Sequence, residues 1–186
     1  MDYRPSSDRA LAIQPELETS RLTLRRLELN DAPFVMALLN EPSFIQNIGD
    51  RGVRSIEDAH RYLLAGPLEM YDRYGFGLWH VALRSGAPIG MCGLLKRDIL
   101  PDVDVGYAFL PAYWGMGFAF EAADATLRYG ARKFGLKRVV GVVSEGNEGS
   151  IRVLEKLGMR FERMCSMREG EPDVRLYGLS FREQGV

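Results

Sequence analysis

The strongest chemical signal in the chain is the run Val103-Asp104-Val105-Gly106-Tyr107-Ala108-Phe109-Leu110-Pro111-Ala112-Tyr113-Trp114-Gly115-Met116-Gly117-Phe118-Ala119-Phe120-Glu121-Ala122. It reads as a strand, a tight glycine-bearing loop and the start of a helix. The first amides of a helix lack intrahelical acceptors, and the helix dipole puts partial positive charge at the same spot. Gly115 and Gly117 carry no Cβ, so a bulky oxyanion can approach the backbone. Phosphate or pyrophosphate is the natural guest. Two phosphate motifs fail here. A P-loop needs Gly-Lys-Ser/Thr at the helix entrance, and Gly117 is followed by Phe118-Ala119. A dinucleotide fingerprint needs a third Gly or Ala where Phe120 stands, in a parallel βαβ setting. Taken alone, the loop is equally a turn that binds nothing.

The elements around this run follow from periodicity. Thr19 to Arg25 alternates polar and apolar residues, the pattern of a half-buried strand. Asn30 or Asp31 can cap a helix with Pro33 in its first turn, running through Phe34, Val35, Leu38 and Leu39. Ser55 and Asp58 resemble a capping box opening a second helix, which Gly66-Pro67 should break or kink. Strands follow at 76–83, 89–95 and 102–110, the first two joined by the hairpin turn Ser85-Gly86-Ala87-Pro88. Ala119, Ala122, Ala123, Thr126, Leu127, Ala131 and Phe134 step by three and four along one helical face that stops at Gly135. A β-branched strand at 138–143, a helix at 147–157 and a closing hairpin, 160–167 with 174–181, complete the order. This is an α+β chain with about seven strands in a mixed, mostly antiparallel sheet and about four helices.

Composition bounds the function. With 186 residues, 46% of them hydrophobic, the chain can build one sizeable core without disulfides or metal. No repeat or linker splits it, so the expectation is a single domain over 18–182 after a flexible N-terminal tail, 1–17. A net charge of -1 removes the broad electrostatic capture of nucleic acid or acidic lipid. Cys92 and Cys165 lie in separate apolar segments without metal-ligand spacing, so buried free thiols and no metal site are expected. The opening residues are too polar for a signal peptide, and no 18 apolar residues run together. A cytoplasmic protein without a membrane span is the expectation. His60 and His80 read as ordinary surface or core residues, and Glu121 as an acid complementing the helix dipole.

Together with Asn147-Glu148-Gly149-Ser150-Ile151-Arg152-Val153-Leu154-Glu155-Lys156-Leu157-Gly158-Met159, the glycine loop resembles the Gcn5-related N-acetyltransferase superfamily, most of all its ribosomal-protein alanine acetyltransferase-like branch. The family loop reads Gln/Arg-x-x-Gly-x-Gly/Ala. Here the frame is Trp114-x-x-Gly117-x-Ala119, and Tyr-Trp-Gly-x-Gly is a usual form in that branch. The resemblance spans about residues 18 to 182, including the opening Glu18-Thr19-Ser20-Arg21-Leu22-Thr23-Leu24-Arg25.

The resemblance implies acetyl-coenzyme A as acetyl donor. Its pyrophosphate would sit on Trp114, Gly115, Met116, Gly117, Phe118 and Ala119. Strands 102–110 and 138–143, the fourth and fifth, should splay into a wedge, with backbone of Phe109 and Leu110 offered to the pantetheine arm and acetyl carbonyl. Asn147 matches an asparagine that contacts the arm. Asp104 stands where related enzymes have a glutamate before Ile/Val-Gly-Tyr, and alternation puts it on the face of Gly106 and Ala108, which makes it the expected base. Many members carry a tyrosine acid two residues before the lysine of Glu-Lys-x-Gly. Here that position is Leu154, so Ser150 is the expected proton donor to the thiolate. The implied reaction is direct transfer to a primary amine, a protein N-terminus or a small molecule, in a ternary complex. The alternative is a non-catalytic acyl-coenzyme A sensor, with a nucleotide-binding module a distant third. Basic residues Arg128, Arg132, Lys133, Lys137 and Arg138 cluster near the end of the central helix, and the terminal hairpin offers an edge for a homodimer.

Overall fold

The computed structural model describes residues 15–181. Eight strands form one sheet in the order β1-β2-β3-β4-β5-β6-β8-β7. They are β1 Leu17–Glu18, β2 Leu22–Arg26, β3 Leu78–Leu83, β4 Pro88–Leu95, β5 Val103–Phe109, β6 Arg138–Val143, β7 Arg160–Cys165 and β8 Val174–Ser180. Every neighbouring pair is antiparallel except β5 and β6. The strand beyond the expected seven is β1, two residues that pair Leu17 with Leu24 and Glu18 with Thr23. A piece so short carries no alternation to read. Of the expected tail, residues 1–14 lie outside the described residues.

The helices are α1 Ala32–Leu39, α2 Pro42–Ile48, α3 Ile56–Leu63, α4 Glu69–Tyr74, α5 Phe118–Phe134 and α6 Glu148–Lys156. Between β2 and β3 there are thus more helical pieces than the two expected. Glu41-Pro42 starts α2 with proline in its first turn. Ser55 and Asp58 close the expected capping box on α3. Gly66-Pro67 does not end that helix. A π-helical segment, Leu64–Leu68, absorbs the proline and hands the chain on to α4. Asp31 precedes α1 but its side chain does not cap it. It accepts from the Glu28 amide and from both terminal nitrogens of Arg25.

The sheet is covered on both faces. Ala122, Ala123 and Leu127 of α5 pack on Trp79, Val81, Cys92, Leu94, Val105 and Phe109. Small residues let α5 lie close, and the Thr126 hydroxyl sits 3.5 Å from Cys92 Sγ. Burial pushes that thiol up to about 12, so it packs as a small hydrophobe. Opposite, Met91 of β4 meets Val35, Leu38 and Leu39 of α1 and Ala59 and Leu63 of α3. Cys92 and Cys165 are both free and buried. His80 is buried with its Nδ1 unpaired, and burial together with Arg25 lowers it to about 4, so it is neutral at physiological pH. No helix among the described residues is long and apolar enough to cross a membrane.

Candidate active site

The ladder between β5 and β6 is two residue pairs long, Val103 with Val139 and Asp104 with Val140. From Asp104 to Phe109, β5 stays paired with β4, from Leu95 to Gly90, and parts from β6. The expected splay between these two strands is therefore present. Its lining follows from antiparallel geometry. The Leu110 amide donates to Ile89 O at 2.9 Å, and hydrogen-bonded pairs alternate along the ladder. Gly106 and Ala108 then spend their backbone groups on β4, while those of Tyr107 and Phe109 are directed into the gap. The Leu110 amide is thus committed to the sheet, and the Phe109 carbonyl accepts from Trp114 Nε1 at 2.8 Å. The Phe109 amide remains directed at the gap.

Beyond β5 the chain turns through Pro111–Tyr113 and reaches Gly115 and Gly117 with φ of +74° and +80°. Side chains rarely adopt that left-handed region, which is why glycines occupy it. Gly117 is the N-cap of α5, a helix of 17 residues. Trp114 N donates to Pro111 O and Glu121 N to Gly117 O, and between them no amide of residues 115–120 meets an acceptor among the described residues. The loop is held from behind. Arg21 Nη1 donates to Met116 O at 2.8 Å, its Nε to Glu121 at 2.6 Å, and its guanidinium lies 4.4 Å over the Phe118 ring. Glu121 also accepts from the hydroxyls of Thr19 and Ser20 and from the Arg21 amide. These bonds hold Glu121 below the ordinary carboxylate range although burial opposes them. Glu121 therefore does more than complement the dipole: it ties the turn before β2 to the head of α5. Of the basic cluster, Arg128 and Arg132 line a depression beside Met116, Gly117 and Phe120, joined by Lys156, whose ammonium lies 4.4 Å over Phe120.

A cleft of about 320 Å³ occupies the gap itself. Asp104, Gly106, Tyr107 and Ala108 line it from β5, Ser144, Asn147, Ser150 and Leu154 from the end of β6 and from α6, Phe44 and Asn47 from α2, and Met167 and Arg168 from the β7–β8 turn. The structure thus brings Asp104, Asn147 and Ser150 to one cavity, while residues 114–119 lie outside its lining. Asp104 has no exposed surface, and neither carboxylate oxygen has a hydrogen-bond partner among the described residues. Arg97 Nε lies 3.3 Å from Oδ2. Burial raises the carboxyl to about 6 against the opposing pull of Arg97 and Lys96. Asn147 Oδ1 caps α6 by accepting the Ser150 amide at 3.1 Å, and the Tyr107 hydroxyl donates to Ser150 O at 3.2 Å. Neither bond uses the Ser150 hydroxyl. Leu154, where many relatives would place a tyrosine, presents only an alkyl group.

The sequence alone assigns Glu121 only to the helix dipole, gives Arg21 no role beyond its place in the opening strand, and marks neither Arg97 nor Arg51 at the cleft. Arg97 follows β4 and Arg51 follows α2 in turns without a motif, so nothing local marks them.

Comparison with known proteins agrees with this architecture. A model of the acetyltransferase (GNAT) domain matches residues 21–160. The chain is 29% identical over 173 residues to YoaA, an uncharacterised N-acetyltransferase of Bacillus subtilis, covering 89% of this chain and 96% of that one. A GNAT-family acetyltransferase structure from Bacillus anthracis is 27% identical, with a TM-score of 0.71 over 90% of this chain and 97% of the other. RimL, a ribosomal L7/L12 alpha-N-protein acetyltransferase in complex with coenzyme A, shares the fold at 17% identity, with a TM-score of 0.77 over 90% and 98% of the two chains. A splayed β5–β6 pair, an open amide loop capping α5 and a match to the domain model over most of the described residues lead to one assignment: the chain belongs to the GNAT acetyltransferase family.

Proposed function

We propose that the protein moves an acetyl group from acetyl-coenzyme A directly to a primary amine, an N-terminal α-amine or a small-molecule amine, within a ternary complex. The observation that carries the reading is the run of unpartnered amides at residues 115–120, continuous with a strand whose Tyr107 and Phe109 backbone faces a gap. Bound there, acetyl-coenzyme A supplies an activated thioester. A Cβ at position 115 would meet nothing within 4 Å, so a diphosphate has room against the loop. The amides of Gly115 to Ala119 hold it, since Trp114 spends both of its N–H groups on Pro111 O and Phe109 O, and Arg128, Arg132 and Lys156 supply countercharge nearby. The Phe109 amide orients the acetyl carbonyl. Asn147 fixes the head of α6, whose Ser150 hydroxyl gives the proton that the departing sulfur needs, with the Tyr107 hydroxyl in the same cleft.

Asp104 takes the proton from the amine. At about 6 its carboxyl is a stronger base than an ordinary aspartate yet still ionised at neutral pH. An α-amine near 8 surrenders its proton to it more readily than a lysine side chain near 10.4. Coenzyme A thiol release from acetyl-coenzyme A, screened over N-terminal peptides and small amines and repeated with Asp104→Asn and Ser150→Ala, tests the reading. Release that needs an amine and falls in both variants is the expected result. Unchanged rates in both variants overturn the two assignments, and tight acetyl-coenzyme A binding with no release over the whole panel selects the sensor instead.

A further inference from the structure

Three guanidiniums from separate elements line the acceptor side of the cleft: Arg51 after α2, Arg97 after β4 and Arg168 at the turn between β7 and β8. Two of them have carboxylate partners. Arg97 lies 3.3 Å from Asp104, and Arg168 donates to Glu171 at 3.2 Å. Arg51 is half-buried and makes no hydrogen bond or salt bridge among the described residues, whereas Arg54, three residues on and exposed, pairs with Asp50. Burial holds Arg51 below the ordinary arginine value against the pull of Tyr62, with the like charges of Arg168 and Arg97 adding to the lowering and Glu171 opposing it least. The two carboxylates lining the cleft are engaged by Arg97 and Arg168, and a partly desolvated cation with no carboxylate of its own in contact is costly unless something else brings the negative charge. The segment carrying it is anchored, since the Ser144 hydroxyl donates to Asn47 O at 2.8 Å and ties α2 to the end of β6.

Resting on the acetyltransferase reading, we propose that the acceptor amine carries an oxyanion, a carboxylate or phosphate a few bonds from its nitrogen, and that Arg51 receives it while the amine faces Asp104. A guanidinium suits this task because its planar fork bonds two oxygens at once. A neutral or polycationic amine would leave Arg51 unpaired and set positive charge against positive charge. Specificity then lies in the loop after α2, outside the segments that hold the donor.

Matched acceptors test this: β-alanine against its amide, 2-aminoethyl phosphate against ethanolamine, and C-terminally amidated Ala-Asp against C-terminally amidated Ala-Asn, each assayed by thiol release with saturating acetyl-coenzyme A. The anionic member of at least one pair should have a KM lower by about tenfold, as a charge-assisted bond implies. Arg51→Gln should erase that preference by raising KM for the anionic member alone, and Arg51→Lys should keep part of it. The winning pair distinguishes carboxylate from phosphate. Equal KM values within every pair, or an Arg51→Gln penalty shared by both members, overturn the inference and leave the acetyltransferase reading standing. If no amine releases thiol, that reading fails, and calorimetry decides the inference separately. N-acetyl-β-alanine and N-acetyl-2-aminoethyl phosphate, with N-acetyl-β-alaninamide and N-acetylethanolamine as their uncharged counterparts, are titrated into wild-type and Arg51→Gln protein: binding of an acid alone, lost in the variant, supports the anion site, and absence of binding by both acids in wild type overturns it.

Discussion

At the head of α5, Arg21 and Glu121 satisfy each other and the backbone around them, whereas in the cleft the Asp104 oxygens and the Arg51 guanidinium lack hydrogen-bond partners among the described residues. The first follows β5 at the entrance to α5, and the second lines the gap beside that strand. One is finished before any ligand arrives; the other stores unmet polar capacity. The difference matches what each end would meet. A diphosphate is the same in every turnover, so a loop already held in shape wastes no binding energy on ordering itself. An acceptor varies between family members, and groups left unpaired become strong, selective contacts only when the right partner fills them.

The largest effect should come from ending the want in the cleft. Asp104→Asn removes the proposed base and should lower kcat by about 100-fold or more, a typical contribution of a positioned proton acceptor. A steady-state assay at saturating amine checks it, and an unchanged kcat would move the base elsewhere. The same variant should be more stable than wild type. A carboxyl raised from 3.8 to about 6 costs the folded, ionised protein about 3 kcal/mol. That penalty is absent below the unfolded value, grows as pH rises from about 4 to about 6 and is complete above that. Denaturation midpoints of the two proteins should therefore coincide near pH 4 and separate by pH 8, with the variant ahead.

Breaking the finished end should cost less. Arg21→Met releases Met116 O and Glu121, and the KM for acetyl-coenzyme A should rise by about tenfold with kcat changed little, the loss expected for one charged hydrogen-bonding group. A fall in kcat alone would mean that the loop does not depend on its staple. Smallest is Trp114→Phe, which frees the Phe109 carbonyl while keeping an aromatic ring. Loss of one neutral bond should lower stability by about 1 kcal/mol, read as a small drop in melting temperature.

Much of this arrangement is legible in the residues themselves. Gly115 and Gly117 stand where the backbone turns left-handed, and Asp104 falls on the face shared with Gly106 and Ala108, as strand alternation requires. The capping box at Ser55 is equally local. What escapes is either too short or too distant. β1 spans two residues, and α2 begins only two residues after the cap of α1, so neither carries a full period. The passage through Pro67 depends on a π turn whose energetics lie in packing against neighbouring helices. Arg51, Arg97 and Arg168 meet only because three turns far apart in the chain open onto one cavity. The commitment of the Leu110 amide to Ile89 is set by register, which no single residue announces.

The two-pair ladder between β5 and β6 also makes a seam. Among the described residues, strands β1 to β5 and strands β6, β8 and β7 form two panels whose strands pair only at Val103–Asp104 and Val139–Val140. Amide exchange should reveal it as a stripe along one strand: protons on Gly106 and Ala108 slow, those on Tyr107 and Phe109 fast. A pantetheine arm laid in the gap would act as a missing thread, slowing the fast pair and bracing the panels against each other.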